Sequence, residues 1–357
     1  PWPSEFGQVL EFLSASADGG APHSTLEAYL HALRFVECAG GVLEDKQVSR
    51  HPALKASLLE HSLMLPSTGI RPTRKAPPTA LALIVAFEAK VMESAAPMFT
   101  RMNAWWRLVR VWAAMRFDDH RGLVPARMKL LPSGLRGTLV RTKTTGLGKH
   151  REELELVVDV EAFIVKPLWL ETGWRLWENV FPHRDFFMGL PSADRSSMRC
   201  IEAKYSDSAA MSLALLGSLR QHDGRPLFYE PSAGTYWTEH SDRASVISIA
   251  ATMPNIDATW LDELGRWSRG SSATYIRTHL FRVRTIQRKV AFWSRSLSNA
   301  QAVEEEVYAG FGEFLCSRGC DPERSITQVL DLAGVLSVAL RTAARPEQVS
   351  AVAPDLD

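Results

Sequence analysis

Cysteine is scarce in this chain. Four are present among 357 residues. Their scattered positions, Cys38, Cys200, Cys316 and Cys320, exclude a disulfide framework and point to a reducing compartment. Cys316 and Cys320 have neither a second pair nor a nearby His to complete a four-ligand metal site, so both read as reduced thiols. Long apolar runs are missing as well. None reaches the roughly 20 residues that cross a bilayer, and no charged-then-apolar leader opens the sequence. Because it starts at Pro1, the chain reads as an excised piece of a longer protein. No internal repeat is visible, and no carboxylate cluster stands out that would seat Mg²⁺. A secreted scaffold, a membrane protein and a metallo-nuclease are therefore set aside, and neither metal nor cofactor is expected. The expected setting is inside the cell, not secreted.

Acid is the other local absence. The run "LGRWSRGSSATYIRTHLFRVRTIQRK", Leu264 to Lys289, carries seven Arg and Lys residues, one tyrosine and no Asp or Glu. A formal net charge of +1 conceals this, because acids collect in "EELELVVDVE" and "QAVEEEVY". A solvated helix face normally mixes both signs; a one-sign stripe with aromatics is the footprint of a polyanion such as nucleic acid. Tyr275 either packs in that stripe or reacts with its partner. The composition is otherwise that of a soluble globular protein, 46% hydrophobic and 23% charged, and the length suits about two domains.

Helical periodicity governs the first 64 residues: "SEFGQVLEFLSA", then "STLEAYLHALRFVECAGG", with Ser24 and Glu27 as a capping box and glycines as the stop, then "HPALKASLLEHSLM". "LPSTGIRPTRKAPP" mixes Pro, Gly and bases and reads as a linker. Beyond it "TALALIVAFEAKVMES" and "TRMNAWWRLVRVWAAMRF" read as buried helices, the second ending near Arg116. In "GTLVRTKTTGLGKHREELELVVDV" the period changes to two at Thr138, Val140 and Thr142, and "TTGLGK" supplies the turn of a β-hairpin. Helices resume at "LWLETGWRLWENV", "SDSAAMSLALLGSLRQ", "RASVISIAATM" and "ATWLDELGRWS", and two amphipathic helices, "AQAVEEEVYAGFGEFLCS" and "ERSITQVLDLAGVLSVALRTA", follow Lys289. The expected fold is mainly α with one small antiparallel sheet. Its expected divisions are a helical domain over residues 1–65, a basic Pro-rich linker over 66–78, a larger domain over 79–289 and a C-terminal helical extension over 290–357. The apolar faces of that extension suit packing on a neighbouring protomer or folding back on their own domain.

Several polar residues stand at element boundaries. Arg116 has Asp119 three residues on, which alone reads as a surface ion pair. Lys143 lies beside the hairpin turn. His240 and Arg243, in "HSDR", share one face of a starting helix and can point at one anion. Trp267 follows, and Tyr275 stands eight residues beyond it. A structural role is the default for each taken singly. Their order, Arg, Lys on a hairpin, His-x-x-Arg, Trp, Tyr, resembles the tyrosine recombinase and integrase family, over Ala76 to about Thr278. The flavour is nearest to the recombinases of eukaryotic mobile elements, the Crypton-like group. Two departures are visible: Asp119 stands where the family usually has Glu, and Phe163 to Tyr236 is a long insertion rich in Trp and Phe.

The resemblance implies a helical core-binding domain preceding a catalytic domain that together clamp double-stranded DNA, with a homo-oligomer, a tetramer on synapsed DNA, as the working form. It implies that Tyr275 is the nucleophile, forming a 3′-phosphotyrosyl link without ATP or metal. Arg116 and Arg243 would hold the non-bridging oxygens bidentately. His240 would take up the phenol proton or bond a phosphate oxygen, and Lys143 would protonate the departing 5′ oxygen. Trp267 would donate its indole N–H to a phosphate oxygen, and Asp119 would orient rather than act as an acid. Phosphate contacts are expected from Arg141, Lys149, Arg266, Arg269, Arg277, Arg282, Arg284, Arg288 and Lys289. Two other classes fit the same residues: a DNA-binding relic of a mobile-element integrase that no longer cuts, and a type IB topoisomerase that nicks and reseals.

Overall fold

The computed structural model describes residues 5–21, 23–64, 75–141, 153–181, 183–230, 232–265 and 279–344. It divides into two compact units that meet between Lys75 and Ala76.

The first unit is three helices, α1 (Phe6–Asp18), α2 (His23–Ala39) and α3 (Pro52–Met64). Leu13, Leu26, Leu30, Leu54 and Leu58 form its small core. Buried Glu37 ties the α2–α3 connection, accepting from the backbone N–H of Val48 at 2.7 Å and from the Ser49 hydroxyl. The expected capping box is not how α2 starts. The helix begins at His23, one residue before Ser24, and Glu27 pairs with His23 at 3.4 Å. Its end is as expected, with Gly41 in the left-handed region just beyond Ala39.

In the second unit α4 (Leu81–Met92) and α5 (Met98–Trp112) are buried on nearly every side; α4 is apolar on most faces, whereas α5 buries Asn103, Arg107 and Arg110 among its Trp, Leu and Val residues. α5 is the central helix. Around it pack α4, α7 (Trp169–Glu178), α8 (Tyr205–Ser218) and α9 (Ser241–Thr252). α5 ends at Trp112, earlier than its apolar pattern suggests, through a turn at Ala114 with φ +48°. Arg116 consequently stands at the N-cap of a separate short helix, α6 (Phe117–His120), rather than at the end of α5.

The hairpin is present. β2 (Gly134–Leu139) pairs antiparallel with β3 (Leu154–Asp159) from Gly134↔Asp159 to Leu139↔Leu154. Its tip, residues 142–152, lies outside the described residues. A third strand the pattern did not reveal, β1 (Lys129–Leu131), pairs with β2, and a second ribbon joins β4 (Gly189–Pro191) to β5 (Met198–Glu202). The fold is thus mainly helical with small antiparallel sheets. The Trp- and Phe-rich insertion is an added layer on α5. Trp105, Trp177 and Phe187 pack ring to ring at 5.0–5.8 Å, and the Trp105 indole donates to the Leu170 carbonyl at 3.1 Å. Gly173 lets α7 approach that closely: a methyl there would stand 2.0 Å from Trp105 Cδ1.

α10 (Ala258–Gly265) and α11 (His279–Ser294) follow α9. Gln287 on α11 is fully buried and joins three elements, donating to the carbonyls of Trp112 at 2.8 Å and Val157 at 2.9 Å while accepting from Asp159 N–H. The two tail helices, α12 (Leu297–Ser317) and α13 (Pro322–Ala343), fold back onto their own unit. Phe311 stacks on Trp237 at 4.9 Å, and Gln328 donates to the Leu227 carbonyl at 2.7 Å. α13 also amends the reading of apolar runs: its 22 residues are long and apolar enough to cross a membrane, yet Leu332, Leu336 and Leu340 are buried in the core of this unit. All four cysteines are free thiols.

Candidate active site

Two arginines inside the buried helix α5 organise the region around His240 and Arg243. Arg107 and Arg110 sit one turn apart and are almost entirely buried, so each needs charged partners. Glu239 and Asp242, also one turn apart and buried, supply them. Arg107 reaches Glu239 Oε1 at 3.1 Å and Asp242 Oδ1 at 2.7 Å; Arg110 pairs with Glu239 Oε2 and lies 3.0 Å from Asp242 Oδ2. From α8, Ser208 and Ser212 hydroxyls donate to Glu239 at 2.5 and 2.6 Å. Burial works to raise the Glu239 carboxyl, but the Arg110 and Arg107 guanidiniums and the two serines together hold it well below its ordinary value. Burial raises Asp242 against the pull of the same two arginines.

This cluster decides how the first turn of α9 faces. With Glu239 and Asp242 turned inward, the residues that follow each of them, His240 and Arg243, lie toward the surface. His240 is exposed at the N-cap of α9, and its backbone N–H donates to Thr238 Oγ1 at 3.2 Å. Arg243 is held by three elements. Its Nη1 donates to the Ala114 carbonyl at 2.9 Å, its Nη2 donates to the Gly265 carbonyl at the end of α10, and Asp119 Oδ2 lies 3.7 Å away. Asp119 is buried and also accepts from the Arg116 backbone N–H at 3.0 Å. One carboxylate therefore lies against the Arg243 guanidinium and the main chain of Arg116. The left-handed Ala114, uncommon for a residue with a Cβ, lies at this same corner.

The hairpin leads to the same place. Gly122, three residues after Asp119, has no side chain because the Arg141 backbone crosses it: a methyl there would fall 1.8 Å from the Arg141 carbonyl oxygen. The Val140 N–H donates to the Gly122 carbonyl at 2.9 Å. Arg141 is exposed and is the last described residue before the hairpin tip. Lys143 and Lys149 on that tip, and Arg266, Trp267, Arg269, Tyr275 and Arg277 in residues 266–278, lie outside the described residues.

Of the remaining basic residues, Arg282 reaches buried Glu263 at 3.0 Å and stands 5.8 Å from the centre of the Trp260 ring, where Lys289 approaches to 5.4 Å. Arg284 and Arg288 both bond Asp159, at 2.6 and 2.9 Å, and Arg284 also donates to the Ser133 carbonyl. These two fasten α11 to the end of β3. Their expected role as phosphate contacts has to accommodate a carboxylate partner already in place, and Arg288, about half exposed, is the more available of the two.

Sequence reading missed Arg107, Arg110 and Glu239. The spacing alone was a partial signal: two arginines at i and i+3 in a helix rich in Trp, Leu and Val ask for two acids at matching spacing, and Glu239 and Asp242 have it, but nothing local says which acids those are. It also missed His120, buried edge-on between Trp106 at 5.0 Å and Phe117 at 4.4 Å beside Asp119. Burial, followed by the charge of Arg110, pushes that imidazole well below its ordinary value, so it is neutral. Among the described residues, no group of three or more His, Cys, Asp or Glu is arranged to hold a metal ion.

No protein-family model matches the sequence, and no curated protein matches it. Among solved structures, the chain is similar to the FLP recombinase–Holliday junction complex, with 15% identity over 64% of this chain and 54% of that one and a TM-score of 0.37. It is similar to XerH site-specific recombinase bound to difH substrate, with 12% identity over 73% and 69% of the two chains and a TM-score of 0.35. It is also similar to the integrase of mycobacterium phage Brujita, with 13% identity over 81% and 94% and a TM-score of 0.33. The chain thus spans about half the length of the first of these.

Proposed function

We propose that the protein is a site-specific DNA recombinase or integrase of the tyrosine type, acting on duplex DNA in assemblies of several copies, and that it derives from a mobile element. The observation that carries this reading is the fixing of Arg243. A guanidinium held between the end of α5, Asp119 and the end of α10 is preorganised, and the segment bearing Trp267 and Tyr275 begins directly after Gly265, the residue that Arg243 bonds. Arg116 belongs to the same corner through Asp119.

In this reading the Tyr275 hydroxyl oxygen attacks the phosphorus of a DNA phosphodiester. The P–O5′ bond breaks as the P–Oη bond forms, so the bond energy is kept for resealing. Arg116 and Arg243 neutralise the oxygens that gain charge. The phenol proton passes to exposed His240, and Lys143 donates a proton to the leaving 5′ oxygen.

A random-sequence pool of nicked duplexes tests the reading. A covalent protein–DNA adduct should survive denaturing electrophoresis, and Tyr275→Phe and Arg243→Ala should abolish it while leaving duplex binding in place. An undiminished adduct in Tyr275→Phe moves the nucleophile elsewhere. Binding without any adduct from the unaltered protein makes the chain a DNA-binding relic.

A further inference from the structure

We infer that Thr79 is a positioning residue that sets the attitude of His240 and Arg243. The inference rests on the reading of the site given above.

Chain entry into the second unit is fastened to one helix turn. The Trp237 indole donates to the Pro78 carbonyl at 3.1 Å. The Thr79 backbone N–H reaches Ser245 Oγ at 2.7 Å and the Ser241 carbonyl at 3.3 Å, and the Thr79 hydroxyl donates to Asp242 Oδ1 at 3.0 Å. Ser241, Asp242 and Ser245 all belong to the start of α9, the turn capped by His240 and carrying Arg243. Thr79 is only 2% exposed, so no water competes for these bonds. Two residues on, the Leu81 N–H donates at 2.8 Å to Glu304 of α12. A short piece of chain is therefore held by α9 on one side and by the tail on the other.

The consequence follows from Asp242. It shares the first turn of α9 with exposed His240 and with Arg243, and Arg107, Arg110 and Thr79 fix its carboxylate from two directions. The arginines are set by α5. Thr79 holds the same carboxylate from the chain entering α4. Loss of its hydroxyl frees Asp242 on that side, and with it the neighbouring Arg243 between its carbonyl partners. The retained backbone bond to Ser245 keeps the fold when the hydroxyl alone is removed.

The full chain carrying Thr79→Val, with Thr79→Ser as the restoring variant, tests this. The His240 ring signal in proton–nitrogen NMR, assigned by its loss in His240→Gln, should be displaced in Thr79→Val and return in Thr79→Ser. Adduct formation on nicked duplex should slow by about fivefold to tenfold in Thr79→Val, the scale of one hydrogen bond, at unchanged duplex affinity. An unmoved His240 signal together with an unchanged rate overturns the inference. So does a Thr79→Ser chain as impaired as Thr79→Val, or a Thr79→Val chain that no longer folds, since the hydroxyl would then be a structural clamp. Should the unaltered protein form no adduct on any duplex, the cleavage reading fails and the His240 signal alone decides the role of Thr79.

Discussion

His120 is the residue whose chemistry has the clearest consequence for stability. Its ring is 1% exposed, packed edge-on beside Trp106 and Phe117. With its folded pKa well below 6.5, the native state binds fewer protons than the unfolded chain. Its contribution is present above 6.5 and is lost as pH falls toward the folded value, by up to about 1.4 kcal/mol per pH unit. Buried Glu88 and Glu304 act with the opposite sign. Burial raises each from 4.5 to about 7, so what they contribute at low pH is lost as pH rises through that interval. His120→Phe keeps a buried ring and removes the titrating group. Urea denaturation between about pH 5 and about pH 7 should show stability falling less steeply on acidification in His120→Phe than in the unaltered protein. Identical slopes would mean that the pocket accepts a charged imidazole.

Among the elements, those with a strong local period were legible before the structure. α1 and α7 follow from apolar spacing and β2–β3 from alternation around "TTGLGK", whereas α3, α4, α8 and α9 follow from runs of helix-forming residues between Pro, Gly and polar breaks. β1 and β4 are three residues each, too short to display a period of two. α5 stops early because Ala114 adopts a positive φ without the Gly that usually announces it. In the site, Arg116, Asp119, His240 and Arg243 were legible as polar residues at boundaries. The buried cluster of Arg107, Arg110, Glu239 and Asp242 was not, since its partners are 129 to 135 residues apart. The tail shows why an amphipathic face is ambiguous: its pattern demands a partner without saying which. The structure gives Glu304 to the N-terminus of α4, Phe311 to the Trp237 cluster and Leu336 to the core. Truncation after Arg295 should therefore unfold the second unit, lowering its melting temperature and duplex affinity together. A truncated chain that melts like the full one and loses only higher-order assembly on DNA, measured by light scattering, would instead assign α12 and α13 to contacts between copies.

On the scale of the whole molecule, a net charge of +1 says little about what the protein meets, because its charges are segregated. Arg243 is fixed on the Gly265 carbonyl, near the start of the basic run from Leu264 to Lys289 in the sequence, while buried acids at 159, 239, 242 and 263 are matched by arginines within the fold. In the proposed reading an external polyanion draws on the rest of that run's positive charge and on Arg116 and Arg141. The central claim is that this charge serves a covalent reaction of Tyr275. Its most direct measurement is mass spectrometry of the protein–DNA adduct after protease and nuclease digestion. The account predicts a nucleotide remnant on the peptide containing Tyr275, joined through its phenolic oxygen. A remnant on any other residue would contradict it.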